Sequence, residues 1–275
     1  MSDSEVIVIE AGQTNGQYWK DLWRYRELFY FLSWRDILVR YKQTVLGIAW
    51  SVIRPFLTMI IFTVVFGRLA KMPSNGVPYP ILVFAALLPW TFFSNSFGEA
   101  SNSLVAGSAI LTKIYFPRII MPATSVIVSL VDFLISFGLL LILMVWFRFV
   151  PDWKIVLVPA LLILVFITAF GAGIFIAALN VKYRDFRHVV PFIIQLGMYI
   201  SPVGFSSSVV PAKWRLFYYL NPMAGAIDGF RWAILGGKNS LYIAGFTLSV
   251  ATSLALLGLG VWYFRRTERG FADYI

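Results

Sequence analysis

The sequence predicts an all-α membrane protein with six transmembrane helices in each subunit. Hydrophobic residues make up 59% of the chain and charged residues only 13%, which is far from the balance of soluble proteins. Long apolar runs recur between short polar connections that contain Pro, Gly and Asn. At about 20 residues for each crossing of the hydrocarbon core, the chain is long enough for six spans. We predict them at about 45–67, 81–104, 119–146, 155–179, 189–203 and 241–264.

The N-terminal part precedes the first span and divides into two segments. Residues 1–17 are polar and acidic and lack the basic and apolar regions of a cleavable signal peptide, so we expect a flexible cytosolic tail. In residues 18–44 aromatic and basic side chains alternate at helical spacing, which predicts an amphipathic interfacial helix in the lipid headgroup plane. Ser33 and Asp36 have the spacing of a capping box. A soluble helical hairpin is the alternative.

The first span carries an arginine. The apolar run Pro55–Gly67 is too short to cross the hydrocarbon core, so the span must also include Val45–Ile53 and Arg54. An arginine inside a membrane needs a partner or a wet cavity, which makes Arg54 a candidate functional residue. The alternative is a snorkelling side chain that only fixes the depth of the helix.

Two acidic residues also fall within predicted spans. Glu99 lies near the far end of the second span among Ser and Asn residues, and Asp132 lies near the middle of the third. If the first and third spans both begin at the inner face, Arg54 and Asp132 have comparable depth. A buried pair between them is therefore one expectation.

Small residues in the fourth span and short apolar pieces after the fifth have structural meaning. Ala169, Gly171, Gly173 and Ala177 allow another helix to approach closely.

Residues 204–238 contain two helical pieces too short to cross, separated by Asn221 and Pro222, an N-cap and a first-turn proline. We predict a re-entrant hairpin buried in protein. The alternative is two helices that lie flat on the outer surface.

The distribution of basic residues predicts the orientation. Of the 23 Lys and Arg residues, 14 fall in the segments that lie inside if the N-terminus is cytosolic, and 8 fall in the outer segments. We therefore expect both termini, including the tail 265–275, on the cytosolic side.

The sequence excludes several kinds of chemistry. A phosphate-binding loop is not recognisable, because Gly236-Gly237-Lys238-Asn239 lacks the upstream Gly and the hydroxyl residue. The chain has no Cys and one His, so we expect no metal centre of those residues. An intramembrane glycosyltransferase would need an acidic metal-binding cluster, and the acids are scattered. We expect a chain that is not an enzyme, with no catalytic residue, metal ion or cofactor of its own.

Four motifs carry a resemblance to a known family. They are Arg-Tyr-Lys-Gln-Thr-Val-Leu-Gly from Arg40, Leu-Thr-Lys-Ile-Tyr-Phe-Pro-Arg from Leu111, Asn-Val-Lys-Tyr-Arg-Asp from Asn180, and Ser-Pro-Val-Gly from Ser201 with Leu-Asn-Pro-Met from Leu220. Because these motifs occur in this order, the chain from Arg35 onward resembles the membrane-spanning permease of polysaccharide-exporting ABC transporters. These transporters serve O-antigen, teichoic acid and capsule export.

The resemblance implies partners and a cargo. It implies an inner-membrane homodimer bound to two copies of a separate ATPase subunit, which binds the ATP and magnesium. The cargo would be a lipid-linked polysaccharide, with O-antigen as the first expectation and teichoic acid or capsular polysaccharide as alternatives. A drug or small-lipid exporter is a further alternative. No nucleic-acid partner is expected.

The resemblance also implies roles for individual residues. The coupling segment that docks on the ATPase comprises Leu111, Lys113, Ile114, Tyr115, Phe116, Pro117 and Arg118. The re-entrant pieces resemble gate helices. Sugars stack on aromatic rings, so the expected channel-lining aromatic residues are Trp50, Trp90, Phe93, Tyr199, Tyr218 and Tyr219. The expected channel and gate residues also include Arg54, Asn221 and Pro222. For each aromatic residue, a lipid-facing or interfacial position is the alternative.

Overall fold

The computed structural model describes residues 15–42, 47–74, 76–236 and 241–271. Within these ranges the regular structure is entirely helical. Some predicted features lie outside the described residues. They are most of the N-terminal tail (1–14), the start of the first span (45–46), the end of the re-entrant region (237–238) and the last residues of the C-terminal tail (272–275).

Eleven α-helices can be followed through the described residues. They are α1 (Asn15–Arg24), α2 (Arg26–Lys42), α3 (Gly47–Phe62), α4 (Tyr79–Ala106), α5 (Ser108–Leu111), α6 (Ile120–Trp146), α7 (Val158–Lys182), α8 (Phe186–Ile200), α9 (Ala212–Tyr218), α10 (Pro222–Leu235) and α11 (Ile243–Thr267). A π-helical segment (Thr63–Leu69) extends α3, and 3₁₀ turns cover Trp153–Leu157, Ser207–Val209 and Glu268–Gly270.

Five of the described helices are long and apolar enough to cross a membrane. They are Ala49–Leu69, Tyr79–Ala106, Ile120–Trp146, Trp153–Lys182 and Ile243–Thr267, and they correspond to the first four predicted spans and the sixth. The predicted fifth span falls on α8, which has 15 residues. At about 1.5 Å per residue, α8 is roughly 22 Å long and shorter than the hydrocarbon core. Six spans therefore stay a prediction.

Helix α4 forms the centre of the bundle. Every residue from Ile81 to Trp90 is buried, because α6, α7 and α10 pack around this half of the helix. A helix that is hydrophobic on every face is stable only when it is enclosed by other helices or by lipid, and this one is enclosed by protein. The remaining half, beyond Trp90, is more polar and partly exposed.

Helices α7 and α11 approach each other at glycines. A Cβ on Gly171 would lie 2.6 Å from the backbone of Leu257, and a Cβ on Gly260 would lie 2.2 Å from the carbonyl oxygen of Gly171. Gly173 makes a similar contact with Ala100 of α4. The prediction that the small residues of the fourth span allow close helix approach is confirmed.

Helices α1 and α2 cover one end of the bundle. Leu32 of α2 packs in a cluster with Leu104 of α4, Ile174 of α7, Phe264 of α11 and Phe116 from the connection between α5 and α6. The opposite side of α1 and α2 exposes large aromatic side chains, namely Trp23, Tyr30, Phe31 and Trp34. The predicted amphipathic segment is thus helical, and its position at a membrane surface stays a prediction.

The glycine contact between α7 and α11 gives the first testable prediction. Gly171→Ala should lower the free energy of unfolding by about 1–3 kcal/mol, because its methyl group meets backbone that cannot rotate away. Gly258→Ala is the matched control, since a Cβ there meets nothing within 4 Å. The control should be neutral or stabilising by up to about 1 kcal/mol. Thermal unfolding of both purified variants measures the difference, and equal stability would contradict the close approach.

Candidate functional site

The segment Leu111–Arg118 connects α5 to α6 and is divided between surface and interior. Ile114 and Tyr115 are 54% and 55% exposed, and Lys113 beside them is exposed as well. Phe116 is only 4% exposed and Pro117 is buried. The expectation that the whole segment forms an outward docking surface is therefore wrong for Phe116 and Pro117, because their side chains pack inside the subunit. Lys113, Ile114 and Tyr115 are the residues left to face a partner.

The chain's C-terminal turn anchors the segment. The backbone N–H of Arg118 donates to Oε1 of Glu268 at 2.9 Å, and its guanidinium donates to the Glu268 carbonyl oxygen at 3.0 Å. The guanidinium also lies 5.7 Å from the ring centre of Phe271. Burial raises the pKa of Glu268, and burial together with the charge of Glu268 raises the pKa of Tyr18 in α1. The turn at Glu268–Phe271 therefore braces the coupling segment.

Asp132 is the meeting point of three helices. It lies buried in α6, and its Oδ1 accepts hydrogen bonds from Tyr41 Oη at 2.6 Å and Ser51 Oγ at 2.7 Å. Its Oδ2 forms an ion pair with Arg40 at 2.7 Å. Burial, followed by the hydrogen bond to Asp132, raises the pKa of Tyr41 to about 12.

Arg54 is not the partner of Asp132. The expected pair is wrong, because Arg40 and Tyr41 at the end of α2 reach Asp132 and occupy its oxygens. Arg54 lies on the exposed side of α3, with its guanidinium 5.9 Å from the ring centre of Trp50. Trp50 is also exposed. These two channel candidates thus share one open face of α3.

Four other channel candidates line one cavity. Trp90 and Phe93 of α4, with ring centres 5.5 Å apart, face Asn221 and Pro222 at the start of α10 across a space of about 430 Å³. Residues of α7, α8 and α11 form the remaining walls, which are mostly apolar. A Cβ on Gly197 of α8 would lie 2.8 Å from Trp90, so the ring packs directly on the α8 backbone. The structure therefore brings these four candidates together.

Asn221 and Pro222 act as the sequence predicts for a helix start. The Asn221 side-chain oxygen accepts from the N–H of Met223 at 3.0 Å, and Pro222 occupies the first turn. The Asn221 amide also donates to Ser201 Oγ at 2.9 Å, which joins α10 to the chain after α8. The predicted cap is confirmed, and it also forms the polar end of the cavity.

The three candidate tyrosines lie in different environments. Tyr199 is 64% exposed on α8, whereas Tyr218 donates to the carbonyl oxygen of Ile200 at 2.8 Å. Tyr219 is fully buried and donates to Asp228 at 2.5 Å, while its hydroxyl lies 3.0 Å from Ser207 Oγ. A channel-lining role for Tyr219 does not fit this position, because its ring lies in the interior of the subunit.

Arg231 is a buried functional candidate that the sequence analysis missed. It is 2% exposed, and its guanidinium donates to the carbonyl oxygens of Val203, Phe205 and Leu82 at 2.9, 2.6 and 3.3 Å. The sequence analysis counted it among outer surface charges. A signal was available: α10 is rich in Gly and Ala, a composition typical of a helix packed closely by others.

Glu99 completes the set of predicted site residues. It is exposed on the polar half of α4, whereas Asp132 is buried. On the same half, the side chain of Asn180 from α7 donates to Asn102 at 3.1 Å and to the Ser101 carbonyl oxygen at 3.2 Å. The two predicted intramembrane acids therefore occupy different environments.

Comparison with known proteins gives a consistent picture. A family model described as ABC-2 type transporter matches residues 27–235. The chain is 29% identical over 214 residues to the O-antigen export system permease protein RfbA of Myxococcus xanthus, covering 77% of this chain and 82% of that protein. A Klebsiella pneumoniae protein of the same name is 27% identical over 251 residues, covering 90% and 95%. The polysialic acid transport protein KpsM of Escherichia coli is 23% identical over 242 residues, covering 85% and 91%.

The buried carboxylate of Glu268 gives the second prediction. Because its pKa is raised in the fold, its ionisation lowers the stability as the pH rises through that pKa. Glu268→Gln keeps an acceptor for the Arg118 N–H without a buried charge. We expect the melting temperature of Glu268→Gln at neutral pH to equal or exceed that of the wild type. The loss of stability that ionisation of Glu268 causes in the wild type as the pH rises should be absent from this variant.

Glu268→Ala is the matched comparison. It removes the acceptor, so it should cost about 1–3 kcal/mol at neutral pH. Thermal unfolding over a range of pH values checks both variants. A Gln variant as unstable as the Ala variant would contradict the assigned role of the hydrogen bond.

Proposed function

Because this chain belongs to the ABC-2 type transporter family, we propose that it is the permease subunit of an ABC transporter that exports a lipid-linked polysaccharide, with O-antigen as the first candidate. The observation that carries the proposal is the near end-to-end match to permeases named for O-antigen export, which covers 90% of this chain in one case. Several apolar helices of spanning length support a multi-pass position in the inner membrane.

The proposal includes a partner ATPase. Two copies would dock on the coupling segments of a homodimer, where Lys113, Ile114 and Tyr115 project from a buried base. An exposed aromatic side chain such as Tyr115 is typical of the centre of a protein interface, and a charged residue such as Lys113 is typical of its polar rim. The bracing of Arg118 by Glu268 supports this role, because a docking surface transmits force only if its base is rigid.

The proposal also places the passage. In the homodimer, the exposed apolar faces of α3 and α8 would meet the second copy and border the route of the cargo. We propose that α8 with the segment after it forms the fifth span, and that α9 and α10 are the re-entrant gate helices. Both termini then lie in the cytosol. The burial of α10 among α4, α7 and α11 supports a re-entrant position for α10, whereas five of the seven residues of α9 are exposed and give that helix no such support.

The chemistry of the cargo fits residues on the open face of α3 and in the cavity lined by α4 and α8. Aromatic rings at Trp50, Trp90 and Phe93 offer flat surfaces for the C–H faces of sugars. Arg54, on the open face of α3, offers a cation for the phosphate of a lipid-linked head, since a guanidinium binds phosphate oxygens with paired hydrogen bonds.

Capsular polysaccharide is the second candidate cargo. The relative named for polysialic acid transport favours it, because the match covers 85% of this chain. The two cargo classes share a long hydrophilic glycan on a lipid anchor, so the same passage would serve either.

Deletion of the gene tests the proposed function. We expect loss of one surface polysaccharide together with accumulation of its lipid-linked form inside the cell, restored by the wild-type gene. Immunoblots of surface glycan and extraction of lipid-linked glycan measure this. Loss of lipopolysaccharide-linked O-antigen identifies the first candidate cargo, and loss of capsule the second. Unchanged surface glycans would refute polysaccharide export.

The exposed tip of the coupling segment gives a further prediction. Ile114→Asp should reduce binding of the ATPase at least about tenfold, because it places a charge in the centre of the interface. The subunit should remain folded, since Ile114 is exposed. Phe116→Asp is the contrasting variant and should destabilise the subunit itself, because Phe116 is buried. Co-purification with the ATPase and thermal unfolding measure the two effects. Normal ATPase binding by Ile114→Asp would contradict the docking assignment.

A further inference from the structure

The contacts of Asp132 join elements that are distant in sequence. Arg40 and Tyr41 come from the last turn of α2, Ser51 comes from the start of α3, and Asp132 lies 12 residues after the first residue of α6. Both carboxylate oxygens are engaged by these residues. Removing the carboxylate would therefore break these polar links of α2 and of α3 to α6 at the same time.

Helix α6 connects this junction to the coupling segment. It begins two residues after Arg118, where Glu268 braces the chain. At about 1.5 Å per residue, Asp132 lies roughly 18 Å along the helix from its start. Within α6, Pro122 is confined to the first turn, where proline is tolerated. The connection is therefore a continuous helix that moves as one body.

Helix α3 packs on the bundle through one face. Pro55, Met59 and Phe62 are buried, with Met59 and Phe62 in the main apolar core, whereas half of the α3 residues from Ala49 to Phe62 are exposed. Near Asp132, the Ser136 hydroxyl lies 3.5 Å from the Ser51 carbonyl oxygen and adds a weak second contact between α6 and α3. The carboxylate of Asp132, through Ser51, is thus a direct polar link between the start of α3 and α6.

We propose that Asp132 is a positioning residue that transmits movement of the coupling segment to α3. This inference rests on the proposed function, in which the ATPase moves the coupling segment and α3 borders the passage. When α6 shifts, its carboxylate draws the start of α3 and the end of α2 along. Without the carboxylate, ATP hydrolysis continues and α3 no longer follows.

The choice of a carboxylate supports a linking role over simple packing. A buried carboxylate is tolerated in an apolar span only when partners compensate it, and here they all come from other helices. An apolar residue would fill the same space at lower cost, but it could not bind three polar groups. The polar junction therefore specifies how α2, α3 and α6 are arranged.

The test uses the full complex with its ATPase, reconstituted in vesicles with a lipid-linked glycan. We expect Asp132→Asn and Asp132→Ala to assemble and to hydrolyse ATP at rates within about twofold of the wild type. Export for each ATP hydrolysed should fall at least about fivefold, which is the low end of typical coupling between sites. Normal export for each ATP in both variants would overturn the inference, as would parallel loss of assembly, hydrolysis and export.

A double substitution and a matched control sharpen the result. Arg40→Gln should cause a similar loss, and Arg40→Gln combined with Asp132→Asn should be no worse than either alone, because the two residues act as a pair. Asp36→Asn is the control, since Asp36 pairs with its neighbour Arg35 inside α2. The control should couple normally. Additive losses, or an equal loss in the control, would refute the specific link.

A probe on α3 separates this inference from the choice of cargo. The chain has no Cys, so a fluorophore on Ile61→Cys, at an exposed position of α3, labels this chain at that helix alone, on the face proposed to border the passage. Addition of ATP should change its signal in the otherwise wild-type complex and not in the Asp132 variants. If the complex shows this difference but moves no glycan, the proposed cargo is wrong and the link stands. A signal that changes equally in all variants, or in none, refutes the link.

Discussion

The interior of this subunit depends on satisfying backbone groups where the chain is not helical. The chain leaves helical geometry at Ser201–Phe205, and Ser201 to Gly204 are buried. In a buried, water-free interior, each free carbonyl would cost about 1–3 kcal/mol or more. Arg231 binds two of them, and Tyr79 donates to the Gly204 carbonyl oxygen at 2.7 Å. The same guanidinium reaches α4, so the break after α8, the start of α4 and α10 form one unit.

The sequence was sufficient for the helices because hydropathy reports a constraint that acts on every residue. Long apolar runs must form helices in lipid, so five spans could be placed from composition and length. Helix α8 is different, since its length falls below the usual span and its neighbours decide its depth. The small residues around Gly171 could be interpreted correctly because close helix approach needs only the absence of a side chain.

The contacts between individual side chains were harder to predict from the sequence. Depth alone made Arg54 the expected partner of Asp132, but α2 extends far enough to bring Arg40 to the carboxylate first. Such a contact depends on the tilt and position of α2, which no local pattern encodes. Aromatic residues pose the same difficulty, because they are tolerated on any face of a membrane helix. Trp90 lines the cavity, Tyr219 is in the core and Tyr199 is exposed, although all three belong to similar apolar surroundings.

The segment Leu111–Arg118 shows how one short motif can serve stability and also, under the proposed function, contact with a partner. Phe116 and Pro117 fix the segment to the bundle, while Ile114 and Tyr115, only one or two residues away, point outward. A displacement of Ile114 and Tyr115 would therefore act directly on Phe116 and Pro117. Arg118, held by Glu268, passes it to the first turn of α6. Only Pro117, Arg118 and Ile119 lie between Phe116 and α6, and Pro117 and Ile119 are buried, so the segment joins α6 through a short packed connection.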